Sequence, residues 1–186
     1  MQYWAAATAV LWAKLIEQIL FTTFVILTVE GYLDFRNRPK EYIKARIREA
    51  EVEAELAEEV LRRGLYQNAA NKAFMAFKAL ASALVVLRLD DLARDEKRRE
   101  WYMKLGNAAP TTGLLKIAKD LEALGFKGVE HAARIALGLH RFAYNGFDPN
   151  FVEYTDIDDV ESDVEKLLGF VREMLTHVED SGGQEH

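Results

Sequence analysis

Tyr66-Gln67-Asn68-Ala69-Ala70-Asn71-Lys72-Ala73-Phe74-Met75-Ala76-Phe77-Lys78-Ala79-Leu80, continuing through Leu84, Val85 and Leu87 to Leu89, is apolar on most sides of a helix drawn through it. A helix without a wide polar face belongs in the centre of a bundle. Its alanines allow neighbouring helices to approach closely, and Phe74 and Phe77 offer large buried area. On its N-terminal side, Ile43, Ile47, Ala50, Ala54, Ala57 and Leu61 recur at steps of four and three. That spacing predicts an amphipathic helix from about Pro39 to Arg63, with Pro39 in the first turn and Gly64 as its stop.

On the C-terminal side a charged segment, Arg88 to Lys104, leads to a loop at Gly106-Asn107-Ala108-Ala109-Pro110. Leu114, Leu115, Ile117, Ala118 and Leu121 predict a short helix stopped near Gly125. A further helix is expected from about Val129 to Asn145, before Gly146-Phe147-Asp148-Pro149 breaks the pattern. Val160, Val164, Leu167, Val171, Leu175 and Val178 set one stripe of a last helix. Thr155, three residues before Asp158, resembles its start signal. No segment alternates as a strand and no repeat is visible, so the expected fold is all-α.

The chain has 186 residues, half of them hydrophobic, and only three prolines. That composition can bury a core and is not that of a disordered chain. Cysteine is absent, which excludes disulfides, a cysteine nucleophile, thiolate zinc sites and iron–sulfur clusters. The net charge of −6 is concentrated between Glu153 and Asp180, where ten acids face only Lys166 and Arg172. The rest of the chain is slightly basic, so a broadly basic coat for nucleic acid is excluded while a local basic cleft is not.

Tyr3 to Val29 is strongly apolar, interrupted by Lys14, Glu17 and Gln18. Its length would suffice for a membrane span. The interruptions fall mid-stretch and, with Thr28, near one line of a helix, a pattern suited to packing between protein elements. Each mid-span charge costs about 2.5–3.5 kcal/mol on insertion, so a soluble, cytoplasmic protein is expected, with membrane attachment through residues 3–29 as the minority reading. No basic residue precedes the apolar run, and a cleaved signal peptide is not expected. The organisation expected is a hydrophobic helical arm over residues 1–36, a helical bundle over 37–180 and a disordered tail over 181–186.

Phosphate-cradling glycine loops, His-Glu-x-x-His pairs and Gly-x-Ser-x-Gly elbows are missing, and there are four histidines. No metal site or cofactor is expected. The informative stretch is Glu130 to Gly146. On a helical wheel Ala132, Ile135, Ala136, Leu139, Phe142 and Ala143 form a core stripe. Arg134, Arg141, Tyr144 and Asn145 point away from it, and His140 sits on the shoulder. Arginine offers a fixed fork of donors, and histidine titrates near neutrality. Such a face could hold a phosphate and move protons, or it could be a boundary histidine with arginines paired to nearby acids.

Two stretches resemble the HEPN superfamily of helical bundles, and more closely its PaREP branch from hyperthermophilic archaea. One is Gly64 to Leu80, with a glycine and aromatic, paired alanines, Lys72 and an aromatic-rich continuation. The other is Leu139-His140-Arg141-Phe142-Ala143-Tyr144-Asn145-Gly146. Glu49-Ala50, Pro110-Thr111-Thr112 and the helix after Tyr154 follow in matching order. The resemblance spans roughly residues 40–180 and implies an antiparallel bundle of four or five core helices, to which the N-terminal hydrophobic helix is an addition. It also implies a homodimer.

Active members of the superfamily resemble metal-independent endoribonucleases with an Arg, four to six residues and a His at the dimer interface. Arg134 and His140 match that spacing, with Tyr144 beside them as a third candidate catalytic residue. Arg141 and Asn145 are the candidate nucleic-acid contacts. On one helix, positions six apart point about 240° apart, so only a symmetric dimer could assemble both groups in one groove. The sequence departs from the nuclease pattern at Ile135 and Phe142. The leading expectation is therefore a non-catalytic homodimer that binds RNA or a protein, an antitoxin-like partner among them. The toxin-like ribonuclease is the alternative.

Overall fold

The structure, a computed structural model, describes residues 34–104 and 108–182. Residues 1–33, most of the expected N-terminal arm and its alternative membrane role, lie outside the described residues, as do 105–107 and the last four residues of the expected tail. Among the described residues there are seven α-helices and no strand. The described residues form the expected all-α class.

Helix α1 spans Pro39–Arg62, with proline in its first turn. Its stop is a left-handed Gly64, φ +72°. The Gly64 N–H donates to the Leu61 carbonyl at 2.8 Å and the Leu65 N–H to that of Val60 at 3.0 Å. This pair of bonds satisfies the last carbonyls and reverses the chain. Helix α2, Tyr66–Leu87, follows at once and packs back along α1. Two short helices, α3 (Leu89–Leu92) and α4 (Glu96–Lys104), occupy the charged segment. Helix α5 spans Leu114–Ala123, and Gly125, φ +101°, ends it with the same two-bond closure. Helix α6 spans Val129–Asn145 and α7 spans Ile157–Gly182.

Helix α2 is the centre, touching α1, α5, α6 and α7. Ala69, Ala70, Ala73, Phe74, Phe77, Leu80 and Leu84 are all sealed. Each buried Phe or Leu contributes about 1.5–3 kcal/mol of apolar burial. Among the described residues α2 is the one helix long and apolar enough to cross a membrane, and most of it is buried inside the fold.

Three local expectations need correction. The α1 stripe is rotated: Ala50, Ala54 and Ala57 are sealed, but Ile43, Ile47 and Leu61 are half-buried, while Tyr42, Arg46, Glu53 and Leu56 are inside. The two charged residues can be buried because they have partners. Arg46 reaches Glu49 at 2.5 Å and lies over the Tyr42 ring. The Lys72 Nζ donates to Glu53 Oε1 at 3.2 Å and stands 2.9 Å from Oε2 without hydrogen-bond geometry. Second, α2 ends at Leu87, which is exposed, two residues short of Leu89. Third, Asp156 rather than Thr155 starts α7: its Oδ1 accepts the Asp159 N–H at 2.9 Å. The charged segment, to which the sequence assigned no element, is helical in two pieces.

Residues just before α1 are tied to α4. Phe35 is buried against Tyr42, and the Arg36 guanidinium donates twice to the Met103 carbonyl, at 3.1 and 2.6 Å.

Candidate functional site

All five candidate residues lie on α6. Its N-terminus is capped by a carboxylate from α5. Glu122 Oε1 accepts the Gly128 N–H and Oε2 the Glu130 N–H, each at 2.9 Å. These backbone donors hold the Glu122 carboxyl below the usual carboxylate range, against a smaller opposing effect of burial. Midway, Gly138 lets Tyr154 cross the helix: a Cβ there would meet the phenol oxygen at 3.2 Å. That hydroxyl donates to Asp163 on α7 at 2.8 Å.

The polar edge of α6 is largely committed within the chain. Arg134 is exposed and donates to Glu130, one turn back, at 2.7 Å. Arg141 spans to Glu153 in the α6–α7 connection, with Nη2 2.8 and 2.7 Å from its two oxygens. That hydrogen bond holds the Glu153 carboxyl low. The Asn145 side-chain amide donates to the Arg141 carbonyl at 2.8 Å and so finishes the helix. Tyr144 has no such tie among the described residues and is 74% exposed.

His140 is held differently. Its ring stacks on Phe74 of α2, centroids 4.1 Å apart at 24°, and meets Tyr144 edge-on at 5.1 Å. Nδ1 is shut away with no hydrogen-bond partner among the described residues. Desolvation, and secondarily the positive charge of Lys78, push the imidazole pKa down. These facts restrict its chemistry. To accept a proton at Nε2, the neutral ring must carry its own proton on Nδ1, and that N–H would be buried unpaired. Leaving a buried donor unsatisfied costs about 1–3 kcal/mol. Acting as an acid requires the imidazolium, which the same surroundings oppose.

Arg134 and His140 have separate partners and are not brought together in one chain, as their spacing on an unbroken helix dictates. His140 and Tyr144 are brought together, and so are Arg141 and Asn145. Sequence reasoning did not find Phe74, Lys78 or Glu153, which reach the site from other elements; Glu130 was legible as the residue one turn before Arg134. It also passed over Leu65 and Phe147. Both are exposed, and both line a cleft of about 320 Å³ between the α1–α2 turn and the end of α6. No group of three or more metal-ligating side chains occurs among the described residues.

The geometry defines an all-α protein whose polar constellation rides on one helix, packed against an apolar central helix. The chain belongs to the archaeal PaREP1/PaREP8 family, whose model matches residues 45–168. That span runs from within α1 to within α7 and includes every candidate residue. No curated protein and no solved structure matches the chain.

Proposed function

We propose that the chain is a non-catalytic binding module, a HEPN-like bundle that pairs as a homodimer and holds RNA or a protein partner through the outer edge of α6. The observation that carries the non-catalytic reading is the sealed, unpaired Nδ1 of His140. A histidine that exchanges protons in a mechanism is normally oriented through its second nitrogen, and among the described residues nothing does so here. Binding is supported by the position of Arg134, Arg141 and Tyr144 at the surface. Exposed ion pairs contribute about 0–1 kcal/mol, so either arginine can exchange its glutamate for a phosphate or a partner carboxylate at small cost.

Labelled single-stranded RNA titrated with full-length protein tests this reading. Arg134→Ala with Arg141→Ala weakens binding and flattens its salt dependence, Glu153→Gln strengthens it, and His140→Ala leaves it nearly unchanged. If RNA is not retained, capture of a defined protein partner must depend on the same two arginines, or the reading fails.

A second reading, the metal-independent endoribonuclease, draws on the contact between Tyr144 and His140 and on Nε2, which is not sealed as Nδ1 is. Cleavage of RNA in excess chelator by the native protein but not by His140→Ala would establish it in place of the first. Equal behaviour of the two proteins removes it.

A further inference from the structure

A second surface, away from α6, has the chemistry of a ligand site. Helix α4 carries no apolar stripe, and Tyr102 is its one buried residue. It leans over the first turn of α5 and leaves a cleft of about 480 Å³. Trp101 forms part of the wall. The indole meets Tyr102 edge-on at 4.8 Å, and a Cβ on Gly113 would sit 3.4 Å from it, so the ring is fixed from two sides. Lys97, Trp101 and Lys104 recur at steps of four and three and share one face of α4. Opposite them stands Lys116 of α5, its Nζ 5.5 Å from the indole centroid.

Four cations and two carboxylates line this cleft, in a chain whose net charge is −6. The acids do not cancel the cations evenly. Arg98 is engaged with Asp95 and Asp120, and Lys116 with Asp120 at 2.8 Å. Lys104 pairs with Glu100 across a largely exposed contact. Lys97 has no ion-pair partner among the described residues. Below them the Tyr102 hydroxyl is buried; it faces Asp120 but falls short of a hydrogen bond. A rigid indole beside lysines that are free or weakly held matches a ligand with a planar ring and a phosphate.

We propose that this cleft binds a nucleoside phosphate, the base laid against Trp101 and the phosphate met by Lys97, Lys104 and Lys116. The proposal rests on the binding reading above and deepens it by naming the ligand class and a second contact surface. The phosphate can belong to a strand of RNA or to a free nucleotide.

Full-length protein is titrated with labelled oligouridylate at several salt concentrations, and separately with uridine monophosphate by equilibrium dialysis. Binding should weaken about tenfold or more in Trp101→Leu and survive in Trp101→Phe, which keeps an aromatic face. Lys97→Gln with Lys104→Gln should lower affinity and the salt slope together. Where Trp101→Leu weakens binding, tighter retention of the oligomer assigns the cleft to a strand, and equal retention assigns it to a free nucleotide. Helical content measured on each variant identifies any loss of fold, and Lys97→Gln with Lys104→Gln, both at the surface, then decides. Oligomer binding that is lost with the α6 arginines but unchanged in Trp101→Leu overturns this inference and spares the α6 edge. Absence of binding by both probes overturns it outright.

Discussion

Phe74 of α2 and His140 of α6 lie ring on ring, centroids 4.1 Å apart and planes 24° apart. The stack joins the most deeply buried helix to the one bearing the polar edge, and it makes the imidazole a packing group with one face lost to solvent. The pKa is depressed by desolvation and by Lys78, so the unfolded chain takes up a proton more readily than the folded one. His140 therefore contributes its full stability above the unfolded value of about 6.5, and the contribution is lost as pH falls from there toward the folded pKa. Thermal unfolding from pH 7.5 to 5 should show a steeper decline for the native protein than for His140→Gln. The His140 ring protons should titrate below pH 6.5.

The partnership of Glu53 and Lys72 sets a second expectation. Glu53 is 2% exposed, and Lys72 is the cation at its carboxylate. Lys72→Met strands a buried charge and should cost about 3 kcal/mol. Adding Glu53→Gln should recover much of that loss. Urea unfolding of the two single variants and the double variant measures the difference.

Glu122 acts across a loop as the cap of α6. Glu122→Gln keeps one acceptor and loses the charge, with an expected cost of about 1 kcal/mol at neutral pH. The carboxyl is held low in the folded state. Its contribution is thus complete above the unfolded carboxylate range of about 4.3 and disappears as pH falls through the lower folded value. Unfolding curves for native protein and variant should converge in acid.

Gly138 and Tyr154 should be energetically coupled. Alanine in place of a mid-helix glycine ordinarily gains about 1 kcal/mol, but here the new Cβ meets a hydroxyl fixed by Asp163. Gly138→Ala should therefore destabilise the native protein by about 1 kcal/mol. In a Tyr154→Phe background the same change should be neutral or favourable. A double-mutant cycle followed by thermal unfolding gives the coupling directly.

How far the sequence could be read follows from where each residue's partners lie. Helix α6 begins and ends where expected because Gly128 and Gly146 flank it, and all six stripe residues of α7 are buried because their period is unbroken. The α1 stripe misled because Arg46 and Glu53 are buried; the partner that accommodates Glu53, Lys72, arrives from another helix. The segment from Arg88 to Lys104 hid two helices, since α4 seals only Tyr102 and has no repeat to detect. At the candidate site the outward placement of Arg134, Arg141, Tyr144 and Asn145 was legible from helical geometry. The stack beneath His140 was not, because Phe74 lies 66 positions earlier.

The grip of Arg36 on the Met103 carbonyl has a mechanical corollary. It fastens the residues just before α1 to the far end of the helix that bears Trp101. Tension applied ahead of Asp34 would load the buried Phe35 and, one residue on, be passed through Arg36 to that tryptophan wall.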